Sequence, residues 1–444
     1  MMTNEMTRHL SSIGLAAVKE LETDTGILAS GREEIFGCIF GRDSLITDMK
    51  LIRAYQYNGD AHLLSVVKKS LENLFLLQGK EVNIESGEEP GKCIHEYRPE
   101  NHEHLTKWHN PPWYVYPDGK MRIYDTVDGT PLLLMATYRY WKASGDQEFL
   151  ENALPHVRAA LRWVLDYGDS NGDQFIDYQF SPERVHGGLH VQSWMDSDES
   201  LFHEDGSETP YPIAPVEVQA YAYMALRMWS DFFAHEKKES DFAKELSERA
   251  ATLKKAFNEK FVLESENFSI ANGIDGVGKP LEAARSSQGH VLWASWKFDG
   301  SEQPDTILDE KYIPFLVKRL MQNDLFEPEA GIRTLSKDSS QFEANSYHNG
   351  SIWPHDTGMI AEGLDRFGYE KEAEQVREAL AKALLHFDTP LELFVYDEGY
   401  QEYRSATGQG ACRLQAWSAA TLAAEMPLLE SFDPQQEIGS ESVQ

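Results

Sequence analysis

Residues 129–168, GTPLLLMATYRYWKASGDQEFLENALPHVRAALRWVLDYG, hold two amphipathic segments, 129–143 and 147–166, with Gly145 just past the first, where a helix stop is expected. In both, apolar residues recur at three- and four-residue intervals, the period of a helix that buries one face. The same pattern returns at 5–22, 43–57, 61–77, 214–235, 239–260, 304–323, 356–367 and 369–387, and two further helices are expected at 286–297 and 415–426. Gly59, Gly79 and Gly368 also stand where helices should stop. About twelve helices in six successive pairs predict an all-α fold, a helical toroid.

Long loops separate the helices at 81–124, 168–212, 264–285, 327–355 and 388–414. Loops of that length in a compact domain are functional or disordered, and these are too rich in Trp, Tyr and His for disorder. They are expected to line one shared pocket at one end of the toroid. No Pro/Ser-rich linker or low-complexity tract interrupts residues 1–432, which read as a single catalytic domain. Residues 433–444 read as a polar, mobile tail.

The chain of 444 residues is 41% hydrophobic and 11% aromatic, a globular composition. Its 41 Lys plus Arg against 73 Asp plus Glu give a formal net charge of −32. That field repels nucleic acid and anionic membranes, so neither is an expected partner, while a neutral ligand feels no penalty. Cys38, Cys93 and Cys412 are odd in number, far apart and without CxxC spacing. A reducing, cytoplasmic compartment is therefore expected, with no disulfide framework or zinc cluster. The N-terminus lacks the apolar core and cleavage site of a signal peptide, and no apolar run approaches the ~20 residues of a membrane-spanning helix. HExxH, GxxxxGK and GxGxxG are absent, which disfavours zinc and nucleotide chemistry; no cofactor is expected. Oligomeric state is not legible.

NSYHNGSIWPHD, 345–356, has no strand or helix period. His348, His355, Asn349 and Asp356 can exchange hydrogen bonds, while Tyr347 and Trp353 offer flat apolar faces. That is equipment for a sugar ring, apolar on its faces and hydroxylated around its rim. Cleaving a glycosidic bond then needs two carboxyl groups in different surroundings, one protonated and one ionised. Asp196, in HVQSWMDSDES, has Trp194 and Met195 beside it to raise its pKa, and the like charges of Asp198 and Glu199 push the same way. Residues 391–417 offer the second carboxyl: Glu392 among Leu391, Leu393 and Phe394, or Glu402 between Gln401 and Tyr403, a choice that local sequence leaves open. In FGRDS, 40–44, Arg42 and Asp43 suit vicinal hydroxyls, although Asp43 and Ser44 also read as helix caps. His95, Glu96 and Arg98 in KCIHEYR and Asp128 in YDTVDGTPLLL are further polar candidates, with buried ion pairing as the alternative. DYGDSNGDQFIDY, 166–178, has acidic or amide groups at Asp169, Asn171 and Asp173, but Gln174 stands where an EF-hand loop needs glycine, so a surface turn is expected and no metal.

Taken in order, FGRDSLIT (40–47), GKCIHEYR (91–98), YDTVDGTPLLL (124–134), YGDSNGDQFIDY (167–178), SWMDS (193–197), PVEVQAYAY (215–223), GIRTLS (331–336), SYHNGSIWPHD (346–356) and QAWSAATL (415–422) resemble the amylo-alpha-1,6-glucosidase, or glycogen-debranching, family from about residue 30 to 428. The resemblance implies an (α/α)6 barrel, shared with glucoamylase, trehalase and mannosylglycerate or glucosylglycerate hydrolases, and inverting hydrolysis of an alpha-glycosidic bond. By position it implies Asp196 as general acid and Glu392 as general base, with Glu402 as the alternate because Glu392 lies further from Trp417 than the family spacing. Arg42, Asp43, Glu217, His348, Asn349, Trp353 and Asp356 fall where such enzymes bind the terminal sugar.

The barrel helices begin near residue 5, without the β-sandwich or transferase domain that debranching proteins carry, which tilts the expected substrate from glycogen to a short alpha-linked oligosaccharide or small glucoside. Residues 99–122, longer and more aromatic than the family segment, are expected to wall the aglycone side. The rivals are a sugar epimerase using His95, His290, His348 and His355, and a glycan-binding protein with no need of paired carboxyls.

Overall fold

The protein was analysed as a computed structural model that describes residues 2–265 and 268–430; the expected tail, 433–444, lies outside them. Among the described residues are the helices α1 (Asn4–Leu21), α2 (Gly41–Asn58), α3 (Ala61–Leu76), a single turn α4 (Glu103–Thr106), α5 (Gly129–Ser144), α6 (Gln147–Asp166), α7 (Val216–His235), α8 (Ser240–Lys260), α9 (His290–Trp293), α10 (Ile313–Leu320), α11 (Pro354–Arg366), α12 (Glu370–Phe387) and α13 (Ala416–Glu425). Gly59 and Gly145 close α2 and α5 with φ of 68° and 66°, a left-handed turn that costs glycine nothing.

Two kinds of helix follow from composition. α8 buries Ala243, Leu246, Ala250, Leu253 and Phe257, one stripe at helical spacing, and leaves its charged face to solvent. α13, AWSAATLAAE, is buried at every position, and α7 is buried nearly all round. A helix without a polar face must be surrounded, and small residues let its neighbours approach closely. The packing follows: α2 lies on α5, α5 on α7, α7 on α9, α9 on α11, α11 on α13, and α13 returns to α2. The amphipathic helices cover this set, with α1 on α13, α3 on α2, α6 on α5, α8 on α7 and α12 on α11.

A buried ion network ties three of the inner helices. Lys50 of α2 donates to Glu362 of α11 at 2.8 Å, Glu425 of α13 at 2.7 Å and the Gly358 carbonyl at 3.0 Å. Opposite charges so deep must stay paired, because removing one partner strands the others.

Some boundaries differ from the periodicity. The expected helix 304–323 forms only from a 3-10 turn at Glu310–Tyr312 onward. Pro304 precedes an extended stretch in which Asp305 pairs with Trp296, and Ile307 and Leu308 are buried without helical structure. That pairing also ends α9, expected over 286–297, at Trp293. Gly79 is not a helix stop: α3 ends at Leu76, and a Cβ at Gly79 would lie 2.3 Å from the Glu89 carbonyl oxygen. The long loops carry short strands, among them an antiparallel sheet of Ile39–Phe40, Glu96–Arg98 and Met121–Ile123 and a hairpin of Phe394–Tyr396 with Tyr400–Glu402. No helix among the described residues is long and apolar enough to cross a membrane.

Candidate active site

The chain enters α2 from the strand Ile39–Phe40, and a Cβ at Gly41 would stand 2.0 Å from the Ile94 carbonyl oxygen. This close approach fixes the first turn of α2 against the strand Glu96–Arg98, so that Arg42 and Asp43 face the loops. The N-cap is Phe40 and no side chain caps the helix. Asp43 is thus not the cap that its position allowed; its Oδ1 accepts from Gln415 Nε2 at 2.9 Å.

Arg42 is buried, and each of its three guanidinium nitrogens donates a hydrogen bond. Its Nε donates to Asp128 Oδ2 at 2.5 Å, Nη2 to the Ser193 carbonyl at 2.8 Å and Nη1 to Asp196 Oδ2 at 3.1 Å. Asp128 fixes the guanidinium, which in turn positions the loop bearing Asp196. Asp196 and Glu392 both line one cavity of about 370 Å³, together with Arg42, Asp43, His95, Glu96, Arg98, Trp194, Tyr347, His348, Trp353 and Trp417. Twelve of the expected residues, from loops far apart in sequence, therefore converge.

The carboxyls differ in setting. Asp196 retains 24% side-chain exposure on the cavity wall. Burial pushes it up to about 6, opposed by the adjacent Arg42 charge; the like charge that adds to the rise is that of Asp128. Glu392 is 2% exposed. Burial pushes it up to about 7, helped by the charge of Asp196, against two hydrogen bonds that favour its anion. These come from the Tyr347 hydroxyl to Oε1 and the Cys412 N–H to Oε2, the latter at 2.8 Å. Burial lifts Asp43 to about 7 as well, with the charges of Asp196 and Glu392 contributing. The three groups sense one another, so their protonation is shared.

Flat rings build the rest of the wall. His355 stacks on Trp417 with centroids 3.7 Å apart, and His348 on Trp353 at 5.1 Å. Among the lining side chains, His95 Nδ1, His348 Nε2, Gln415 Oε1 and Trp417 Nε1 are buried without a protein hydrogen-bond partner.

Six candidates lie elsewhere. Glu402, in the outer strand of the hairpin, is 48% exposed and pairs with Arg404 and Arg413, outside the cavity lining. Asp128, Glu217, Asn349, His355 and Asp356 are buried behind the wall. Asp356 and His290 are bonded at 2.6 Å, and Asn349 donates to the Glu199 carbonyl at 2.8 Å.

Sequence reasoning missed Phe36, Phe40, Leu189, Gln415 and Tyr403 on the wall; the segment 99–122, expected to wall the aglycone side, contributes His104, Leu105 and Trp113 to the lining. It also missed Arg285, whose guanidinium binds the Ser200 and His348 carbonyls at 2.8 and 2.7 Å and Asn349 Oδ1 at 2.7 Å, clamping the Asp196 loop to the His348 loop. The GIRTLS motif gave no signal for it, since Arg285 lies in another loop.

Among the described residues, the group able to hold a cation is Asp169, Asp173 and Asp177, whose oxygens come within 4.8 Å of one another. Gln174 adopts φ 84°, so the sharp bend that the sequence argument denied to a non-glycine is made. Both Asp169 oxygens accept backbone N–H groups of this same turn, from Gly172, Asp173 and Gln174.

The family model for amylo-alpha-1,6-glucosidase matches residues 113–424. Solved structures similar to the chain include the GH63 mannosylglycerate hydrolase of Thermus thermophilus in complex with Tris, at TM-score 0.62 and 15% identity, covering 94% of this chain and 99% of that one. The same hydrolase with Tris and D-glycerate gives 0.60 and 14% over 94% and 100%, and with glucose 0.59 and 14% over 94% and 99%. At such identity the likeness speaks for the fold. No curated relative matches the sequence.

Proposed function

The chain belongs to the amylo-alpha-1,6-glucosidase family of glycoside hydrolases, and from that premise we propose that it is an inverting glycosidase acting on an alpha-linked, glucose-containing oligosaccharide or small glycoside. The observation that carries the reading is that Asp196 and Glu392 both line one ring-walled cavity, each held above the usual carboxylate range. Asp196 protonates the departing oxygen. Glu392, its anion held by Tyr347 and Cys412, draws a proton from a water that attacks the anomeric carbon from the opposite face. Inversion requires the carboxyls to stand roughly 6.5 to 9.5 Å apart to admit that water.

The closed order of inner helices supports an (α/α)6 toroid, which we take as one catalytic domain over residues 1–432; the three free cysteines favour a cytoplasmic location. A small substrate is favoured by a cavity of about 370 Å³ into which Leu105 and Trp113 project from the segment 99–122. The similar hydrolase that binds glucose, and is named for mannosylglycerate, makes glycosylglycerates worth including among the substrates.

The test is release of free monosaccharide from maltose, isomaltose, trehalose, panose, glucosylglycerate, mannosylglycerate or sucrose, repeated with Asp196→Asn. The variant is expected to keep its thermal midpoint and to lose about 10²- to 10⁴-fold in turnover, the share of a positioned general acid. Wild-type turnover in Asp196→Asn would remove that residue from the chemistry.

A further inference from the structure

α2 runs from Arg42 in the candidate active site to a second cavity near its other end, where Arg53 lies about 16 Å along the helix axis from Arg42. This cavity, of about 490 Å³, is walled by the last turns of α2, α5 and α11 and by the chain after α9. In a protein of net charge −32 its charged lining is basic: Arg53, Arg139, Lys142, Lys297 and Arg366 against Glu362.

Part of that charge is answered within the protein. Glu362 pairs with Lys50 and Arg366, and Arg53 pairs with Glu425 and Asp365. Arg139, Lys142 and Lys297 have no carboxylate partner among the described residues. The two lysines are exposed at the rim, but Arg139 is 4% exposed. Its Nε has no hydrogen-bond partner, and Nη2 reaches the Trp293 carbonyl only at 3.5 Å. Its guanidinium lies 5.1 Å from the centre of the Trp293 ring. A ring face returns less than a buried cation loses in leaving water, so such a charge is ordinarily paired. The nearby helix-end carbonyls do not fill the role, because Arg366 already takes those of Trp293 and Ser295 at 2.8 and 2.7 Å.

We propose that this cavity binds a phosphate monoester, its dianionic group held by Arg139, Lys142 and Lys297 and its organic part laid against Trp296. Three cations without anions match a dianion better than a monocarboxylate. The cavity exceeds what inorganic phosphate needs, and Trp296 and Pro304 give it an apolar flank for a sugar or similar group. The inference does not rest on the glycosidase reading and stands or falls separately from it.

Calorimetric titration and thermal unfolding with inorganic phosphate and with glucose 6-phosphate, set against chloride and glucose, test it on the wild type, Arg139→Met and the double variant Lys142→Gln/Lys297→Gln. Both phosphates should bind and raise the unfolding midpoint with concentration, glucose 6-phosphate at least as tightly as phosphate. The double variant should weaken phosphate binding about tenfold or more, the worth of lost hydrogen bonds to a charged group. Arg139→Met should abolish phosphate binding while being at least as stable as the wild type without phosphate, since it removes an unpaired buried charge; a merely structural arginine would lose stability there. Absence of phosphate binding, equal binding of chloride, or phosphate affinity unchanged in the double variant would overturn the proposal, and the double variant decides it if Arg139→Met does not fold.

Discussion

Replacing Tyr347 by phenylalanine keeps the ring on the cavity wall and removes only the hydroxyl that donates to Glu392 Oε1. Of the two hydrogen bonds favouring the Glu392 anion, the one from the Cys412 N–H remains. A hydrogen bond to a charged group is worth about 1.5 to 3 kcal/mol, so its loss should raise the ionisation of Glu392 by about one to two pH units. In the wild type Asp196 sits at about 6 and Glu392 at about 7. Glu392 is the higher of the two, so when the pair holds one proton the arrangement that keeps it on Asp196 is the minor one. The pH dependence of kcat/KM should therefore be a narrow bell with limbs near the two values. In Tyr347→Phe the alkaline limb should move up by about one to two pH units and the maximum should fall about ten- to a hundredfold, because the productive tautomer becomes rarer in proportion. Measuring kcat/KM on a chromogenic alpha-glucoside from mildly acid to alkaline pH reads both quantities. An alkaline limb that stays where it is, whatever happens to the maximum, would refute the claim that this hydroxyl tunes Glu392.

Lys50→Met removes one cation from Glu362 and Glu425, leaving them to Arg53, Arg366 and Arg377, and should cost about 3 to 5 kcal/mol in denaturant unfolding; an unchanged midpoint would mean that the three arginines suffice. Glu402→Gln breaks only exposed pairs, so its effect on turnover and stability should stay within about 1 kcal/mol, whereas a collapse of turnover would return the role of base to Glu402.

The helices were legible wherever periodicity and burial agree, as in α5 and α6, whose hairpin needs little beyond its own sequence and Gly145. The segment 304–323 misled because its apolar residues are buried in extended backbone held by Trp296, a contact no local pattern reports. Asp196 and Glu392 stood out by their apolar neighbours in sequence, yet the shift of Asp196 is set by burial, Arg42 and Asp128, which the fold alone brings to it. Arg285, Gln415 and Tyr403 gave no sign, since each acts by meeting a loop distant in the chain. The exposure of Glu402 is not readable from strand alternation, since the neighbouring Gln401 is exposed as well.

The central claim is that two carboxyls across one cavity cleave an alpha-glycosidic bond with inversion. Proton NMR of the sugar first released from an alpha-glucoside, recorded before mutarotation, tests it directly. The account predicts that the beta anomer appears first; the alpha anomer appearing first would contradict it.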